Sequence, residues 1–178
     1  MATRRVRDVA QYSEFVAARS GALFRTAYLV LGDHQLAQDL VQESLVKTYV
    51  AWPRLRDIGT AEAYTRRVIV NTAISWRRKR SFHEKPAEFV PELEAPDEID
   101  ALAAADALWV HLHALAPRQR AAIVLRYYED LTEAQTAEVM GCALGTVKSQ
   151  VSAGLNHLRE RMGPAAAAVG LEDEGARS

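Results

Sequence analysis

Thr146, Ser149, Ser152, Ala153 and Asn156 fall on one side of a single predicted helix, with Lys148 and Gln150 on its flanks. The five on that side are short, and all but Ala153 carry a hydrogen-bonding group. A helix that enters a DNA major groove needs such a face to touch base edges and phosphates. The other side carries Leu144, Val147, Val151, Leu155 and Leu158. At 100° per residue those positions span roughly 80° of arc, a stripe to be buried. Upstream, Thr132 followed three places later by Gln135 spells a capping box. Gly141 can take the left-handed conformation that ends a helix. Residues 131–155, LTEAQTAEVMGCALGTVKSQVSAGL, therefore read as a helix-turn-helix. Taken alone, the pattern also suits an αα-hairpin closing a helical domain.

A second set of polar groups lies earlier. Arg67, Asn71, Ser75 and Arg78 share one side of a helix at i, i+4, i+8 and i+11, and Arg77, Arg78, Lys79 and Arg80 run consecutively. Arginine and asparagine pair best with guanine and adenine edges. Trp52, Tyr64, Trp76 and Tyr49 come from neighbouring segments, and aromatics beside arginines can stack on unpaired bases. The same rings also suit a core, and a basic run suits a helix C-terminus. A third set, Asp39, Gln42, Glu43, Val46 and Val50, lies opposite an apolar stripe. Acids one turn apart beside outward valines read as a protein-docking surface or as a solvated helix face.

Catalysis by the chain alone is not indicated. There is no Cys/His cluster, glycine-rich phosphate loop or nucleophile–base motif, so no cofactor and no metal is expected. His111 and His113 point to different sides of a helix. The single cysteine, Cys142, sits in the predicted turn as a small residue and has no partner for an internal disulfide, which fits a reducing cytoplasm. No apolar run approaches the ~18–20 residues of a membrane span. The basic N-terminus lacks the apolar core of a signal peptide.

The elements that must position these groups are helical: alanine and leucine dominate, and sustained alternation is absent. Phe15, Val16, Leu23, Ala27 and Val30 mark an opening amphipathic helix stopped at Gly32. Asp33 can cap a second, whose buried stripe is Ala37, Leu40, Val41, Ser44, Leu45, Thr48, Tyr49 and Trp52. Pro53 ends it; 53–60 reads as a loop and 61–80 as a third helix. Residues 81–101 hold Pro86, Pro91, Pro96 and seven acids, which excludes a continuous helix and indicates an extended linker. A helix through 102–115, another over 117–130 and the helix-turn-helix follow, then a tail expected to be disordered. Net charge is −1, unevenly spread. Residues 1–80 carry 14 Lys/Arg against 7 Asp/Glu, whereas 81–106 carry 1 against 8. A basic lobe thus adjoins an acidic connector able to fold over and mask it.

With these residues in place, the chain resembles the bacterial group IV (extracytoplasmic-function, ECF) RNA polymerase sigma factors, which keep only regions two and four. The strings AQDLVQESLVKTYVAW (37–52), RVIVNTA (67–73), LAPRQRAAIVLRYYEDLT (115–132) and GTVKS (145–149) carry the likeness, nearest to the actinobacterial SigE-like subfamily. The resemblance implies an all-α fold of two small helical domains: a region 2 bundle over residues 1–80 and region 4 over 102–162. The acidic, proline-containing linker (81–101) joins them, and 163–178 form the tail. It implies no enzymatic activity. It further implies that Asp39, Gln42, Glu43 and Val46 grip the clamp helices of the polymerase β′ subunit, with the β subunit as a further contact. Trp52, Tyr64, Arg66, Arg67, Asn71, Arg77 and Arg78 would open and read the minus-ten element. Thr146, Lys148, Ser149, Gln150, Ser152 and Ala153 would read the minus-thirty-five element.

The sequence departs from the family pattern at the recognition helix. Ala143 replaces the usual capping serine, forfeiting about 1 kcal/mol, and Gln150 and Ala153 stand where arginines are common. Implied partners are core RNA polymerase, promoter DNA and, as a further candidate, an anti-sigma factor, in the cytoplasm and without membrane insertion. Two other readings remain at this level: a LuxR-type helix-turn-helix regulator, or a sigma-like module that binds an anti-sigma factor and never DNA.

Overall fold

The computed structural model of the chain describes residues 2–55, 57–80 and 108–163. The linker 81–101 and the tail from 164 lie outside the described residues, as does any masking by the acidic connector. Among the described residues there is no strand, and the all-α expectation holds.

Lobe one is three helices. α1 (Ala2–Leu31) begins well before the apolar pattern and buries Phe15, Leu23, Ala27 and Val30. It stops at Gly32, which adopts φ +79°, a backbone that costs any other residue about 1 kcal/mol or more. A Cβ there would also overlap the His113 ring. The Asp33 carboxylate then accepts from Leu36 N at 2.8 Å and starts α2 (His34–Ala51). α2 buries Ala37, Leu40, Val41, Ser44, Leu45 and Thr48.

Tyr49, expected in that stripe, is 49% exposed. Its ring instead meets Tyr12 of α1 edge-on at 4.9 Å. Trp52 is half-buried against Tyr12 and Phe15, at 5.2 and 5.4 Å. The connection is shorter than the loop expected over 53–60. Trp52–Arg54 form a 3-10 turn, and Asp57 Oδ1 accepts from Thr60 N at 2.7 Å to start α3 (Ile58–Arg80) three residues early. The Thr48 and Thr65 hydroxyls lie 2.8 Å apart, one donating to the other, so the α2–α3 seam buries no unsatisfied hydroxyl at this point.

Lobe two is built on α4 (described over 108–113), α5 (Pro117–Ile123), α6 (Glu133–Met140) and α7 (Leu144–Met162). The single helix expected over 117–130 instead widens after Ile123 into a π-helical turn, Val124–Tyr128, with Glu129 N donating to Val124 O at 3.0 Å. The added residue per turn leaves Tyr127 and Tyr128 exposed and turns Glu129 toward lobe one. α6 opens with both halves of the predicted capping box: Gln135 N donates to Thr132 Oγ1 (3.2 Å), and Thr132 N to Gln135 Oε1 (2.8 Å). It closes at Gly141, φ +60°. On α7 Val147, Leu155 and Leu158 are buried and Val151 is half-buried. Leu144, expected in the same stripe, is 45% exposed at the first residue of the helix.

Ala143 occupies the N-cap with extended backbone (φ −71°, ψ 152°) and no side-chain cap bond. Ala143→Ser is therefore expected to stabilise the chain by about 1 kcal/mol in urea unfolding, because a hydroxyl there can accept an orphan amide of the first turn.

The apolar core is continuous across both lobes: Val30 and Ile74 belong to the same buried cluster as Leu112, Leu125 and Val139. At the junction, Arg120 is fully buried. Its guanidinium donates to Leu112 O (2.9 Å), Val30 O (3.0 Å) and His113 O. Arg77, from α3, donates to Leu31 O (2.9 Å) and His113 O (3.4 Å). Two arginines thus satisfy the orphan carbonyls at the C-terminal ends of α1 and α4, where helix dipoles favour cations.

Candidate nucleic-acid and protein interfaces

The acidic face on α2 is as the sequence places it. Asp39, Gln42, Glu43 and Val46 are all exposed, and Val46 and Val50 stand 63% and 74% exposed. The buried stripe of α2 fixes this geometry, since i, i+3, i+4 burial on one side forces these residues outward. Glu43 Oε1 accepts from Lys47 Nζ at 2.6 Å and Asp39 Oδ1 from Gln35 Nε2 at 3.2 Å. Each acid is held in place by a neighbour one turn away and stays open to solvent. Tyr49 extends the patch by one more exposed apolar group.

The α3 set divides. Arg67 and Arg78 are exposed. Tyr64 and Trp76 are half-buried, Trp76 against the core. Asn71 is only half exposed: its Nδ2 donates to Val139 O of α6 at 2.7 Å as well as to Arg67 O at 2.9 Å. Arg66 pairs with Glu62 (3.0 Å) and Glu129 (2.9 Å), and Arg77 is turned to the α1 and α4 carbonyls. One helix face of the sequence is thus, in three dimensions, partly an inter-lobe seam.

On α7 the polar set is only partly in solvent. Lys148, Ser149 and Ser152 are exposed, and Thr146, Gln150 and Ala153 are half-buried. Ser149 Oγ donates to Thr146 O at 2.9 Å, so its lone pairs remain available to a donor outside. Lys148 Nζ lies 3.6 Å from Glu133 Oε2, a surface pair worth little in water. Cys142 is half-buried in the turn.

Sequence reasoning missed Arg120, His113 and Glu129 as organising groups. Their signal is tertiary: His113 and Arg120 sit in helices and Glu129 at the end of the π-helical turn, and the partners that matter come from α1 and α3 when the lobes meet. His113 Nδ1 lies 3.0 Å from an Arg120 Nη, which must be the donor, so the imidazole is neutral with its proton on Nε2. Burial first, then the charges of Arg120 and Arg77, push His113 down to about 3. In the unfolded chain it titrates at the ordinary value of 6.5.

The pH dependence follows in sign. Above 6.5 neither state binds a proton there. Between 6.5 and about 3 only the unfolded chain does, so stability falls as pH falls, by up to about 1.4 kcal/mol per pH unit. Urea unfolding at stepped pH from neutral to acid is expected to show a shallower loss for His113→Asn than for the native chain. Parallel curves would contradict it.

Among the described residues no group of three or more His, Cys, Asp or Glu is placed to hold a metal ion, and no helix is long and apolar enough to cross a membrane.

Comparison with known proteins gives the wider context. Residues 15–83 match the family model for sigma-70 region 2, and residues 106–158 match that for sigma-70, region 4. The chain is 39% identical over 155 residues to the RNA polymerase sigma-E factor of Streptomyces avermitilis, covering 87% of each. It is 35% identical over 162 residues to the ECF RNA polymerase sigma factor SigL of Mycobacterium tuberculosis, covering 84% of this chain and 85% of that one. Among solved structures it is similar to the sigma factor RpoE of Bartonella quintana, solved with the anti-sigma factor NepR. There the TM-score is 0.64 and the identity 26%, over 85% of this chain and 96% of that one.

Proposed function

The chain belongs to the sigma-70 family, carrying its regions 2 and 4 in order, and from that premise we propose that it binds core RNA polymerase and directs promoter recognition and transcription initiation. The observation that carries this reading is the pairing of both regions on one chain, each on its own helical lobe. A LuxR-type regulator has no use for region 2, and that alternative is set aside.

The proposed division of labour follows the surfaces. Asp39, Gln42, Glu43 and Val46 are exposed on a rigid helix beside Val50, and they suit docking to the β′ clamp helices, with the β subunit as a further contact. Trp52, Tyr64, Arg66, Arg67, Asn71, Arg77 and Arg78 supply ring faces, amide and guanidinium donors for the opened minus-ten strand. Thr146, Lys148, Ser149, Gln150, Ser152 and Ala153 supply the minus-thirty-five contact. Residues 1–80 and 102–162 are the two working domains, 81–101 the connector between them and 163–178 a tail. The protein works in the cytoplasm, contributes no catalysis of its own and needs no cofactor. An anti-sigma factor is a further proposed partner, by analogy with the Bartonella complex.

Run-off transcription tests the reading. Core polymerase plus the purified chain is expected to give discrete promoter-dependent transcripts, and core alone none. Stable binding to an anti-sigma factor without any promoter-dependent transcript would favour the sigma-like interaction module.

A further inference from the structure

From Leu131 to Leu158, across the whole helix-turn-helix, the Lys, Arg, Asp and Glu residues are Glu133, Glu138 and Lys148; no arginine occurs there. Lys148 already faces Glu133 at 3.6 Å. This stretch cannot draw its selectivity from arginine on guanine, the commonest specific contact in a major groove. What the outward side of α7 presents is short. With buried Val147 as zero and 100° per residue, the buried Gly154, Leu155, Leu158 and Met162 fall between about −20° and 80°. Ser152, Asn156, Ser149 and Ala153 fall on the far side, at roughly 140°, 180°, 200° and 240°. The first three are exposed and Ala153 is half-buried. Two of the polar groups are engaged within the helix: Ser149 Oγ donates to Thr146 O at 2.9 Å, and Asn156 Oδ1 accepts from Arg159 Nη1 at 3.1 Å. Ala153 offers a methyl group and nothing else. Gly145, on the same side, has open space where a Cβ would stand. With no bulk along this face, the helix backbone can lie close to base edges, which is what a side chain as short as alanine needs in order to touch them.

We infer that Ala153 is a specificity-determining residue of α7 and that it selects a T·A pair in the upstream element through the thymine C5-methyl group. This rests on the reading that α7 meets the minus-thirty-five element. Among the four bases only thymine carries a methyl in the major groove. Methyl against methyl removes apolar surface from water and leaves no polar atom unpaired. Discrimination is two-sided. A cytosine at the same point lacks the methyl, and a purine sets its N7 acceptor against the Ala153 methyl, stripped of water and without a donor. Ser149 and Ser152 add contact without choosing a base, because a hydroxyl both donates and accepts. An arginine at position 153 would invert the choice, since its paired donors match the O6 and N7 acceptors of guanine. The single methyl of Ala153 thus stands where the helix decides between an A·T-rich and a G·C-bearing upstream element.

The test uses the full chain assembled with core polymerase on a promoter library randomised across the upstream and minus-ten elements, with the transcripts sequenced. The native holoenzyme is expected to select thymine at one upstream position, and Ala153→Arg to move that same position to guanine by about tenfold, the size of one bidentate pair. A second arm removes only the base methyl, by placing deoxyuridine for thymidine at that position. The native holoenzyme is expected to lose about threefold in promoter binding, as for one buried methyl group, while Ala153→Gly is indifferent to the exchange. This arm stands on its own if Ala153→Arg does not fold. No thymine preference in the native profile, an unchanged profile for Ala153→Arg, or an equal loss on deoxyuridine for the native chain and Ala153→Gly would overturn the assignment. Failure of the underlying reading looks different: the native holoenzyme then gives no promoter-dependent transcript from any library member, and the Ala153 assignment falls with it.

Discussion

Arg120→Ala is expected to destabilise the chain by about 3 kcal/mol or more in urea unfolding, with the two lobes loosening together. The side chain is fully buried and donates to carbonyls of Val30, Leu112 and His113. Its removal takes one donor from each of three carbonyls at two helix ends, leaving His113 O with Arg77 and Leu112 O with Leu115 N, and opens a cavity between the lobes. Burial first, and then Arg77, lowers its pKa. Every partner among these is an acceptor, which holds the guanidinium charged. Arg120→Met separates the contributions: it refills much of the volume yet restores no donor, so it is expected to recover only the cavity part of the loss. If Arg120→Met were as stable as the native chain, the hydrogen bonds would be shown to contribute little, and packing alone would explain the site.

Glu43→Arg is expected to weaken binding to core polymerase by about thirtyfold or more, roughly 2 kcal/mol, with the melting transition of the free chain nearly unchanged. Glu43 is exposed on the outer face of α2 beside Asp39 and Val46, and its only described partner is Lys47 one turn away. Such a surface pair contributes little to folding. At an interface the same reversal both removes an attraction and places a cation against whatever base the partner presents. Affinity by surface-immobilised core polymerase and helix content by circular dichroism provide the two readouts. Native affinity with native fold would remove Glu43 from the docking surface.

The local elements of this protein were legible from its residues. The Asp33 cap, the Thr132–Gln135 capping box and the Gly141 stop depend on side chains within four positions, and each forms as its spacing implies. The buried stripes of α1 and α2, and with them the outward set Asp39, Gln42, Glu43 and Val46, follow from helical periodicity because burying one face leaves the other in solvent. The helix-turn-helix and the order of the two lobes are legible for the same reason.

Periodicity loses its force at helix ends and at seams. Leu144 and Tyr49 fit their stripes by angle but remain about half exposed, Leu144 at the first residue of its helix and Tyr49 with one edge-on contact to Tyr12. The π-helical turn at Val124–Tyr128 adds a residue that no 3.6-residue pattern anticipates. The destination of Asn71, Arg66 and Arg77 was decided only by the packing of lobe two on lobe one, across up to 68 positions of sequence. A helix wheel states which side a residue is on, while whether that side meets water, DNA or another helix depends on long-range contacts. The buried Arg120 belongs to the same class. Its charge reads as surface in sequence, and only the meeting of two helix C-termini, with their unpaired carbonyls and negative dipole ends, makes an interior position favourable for it.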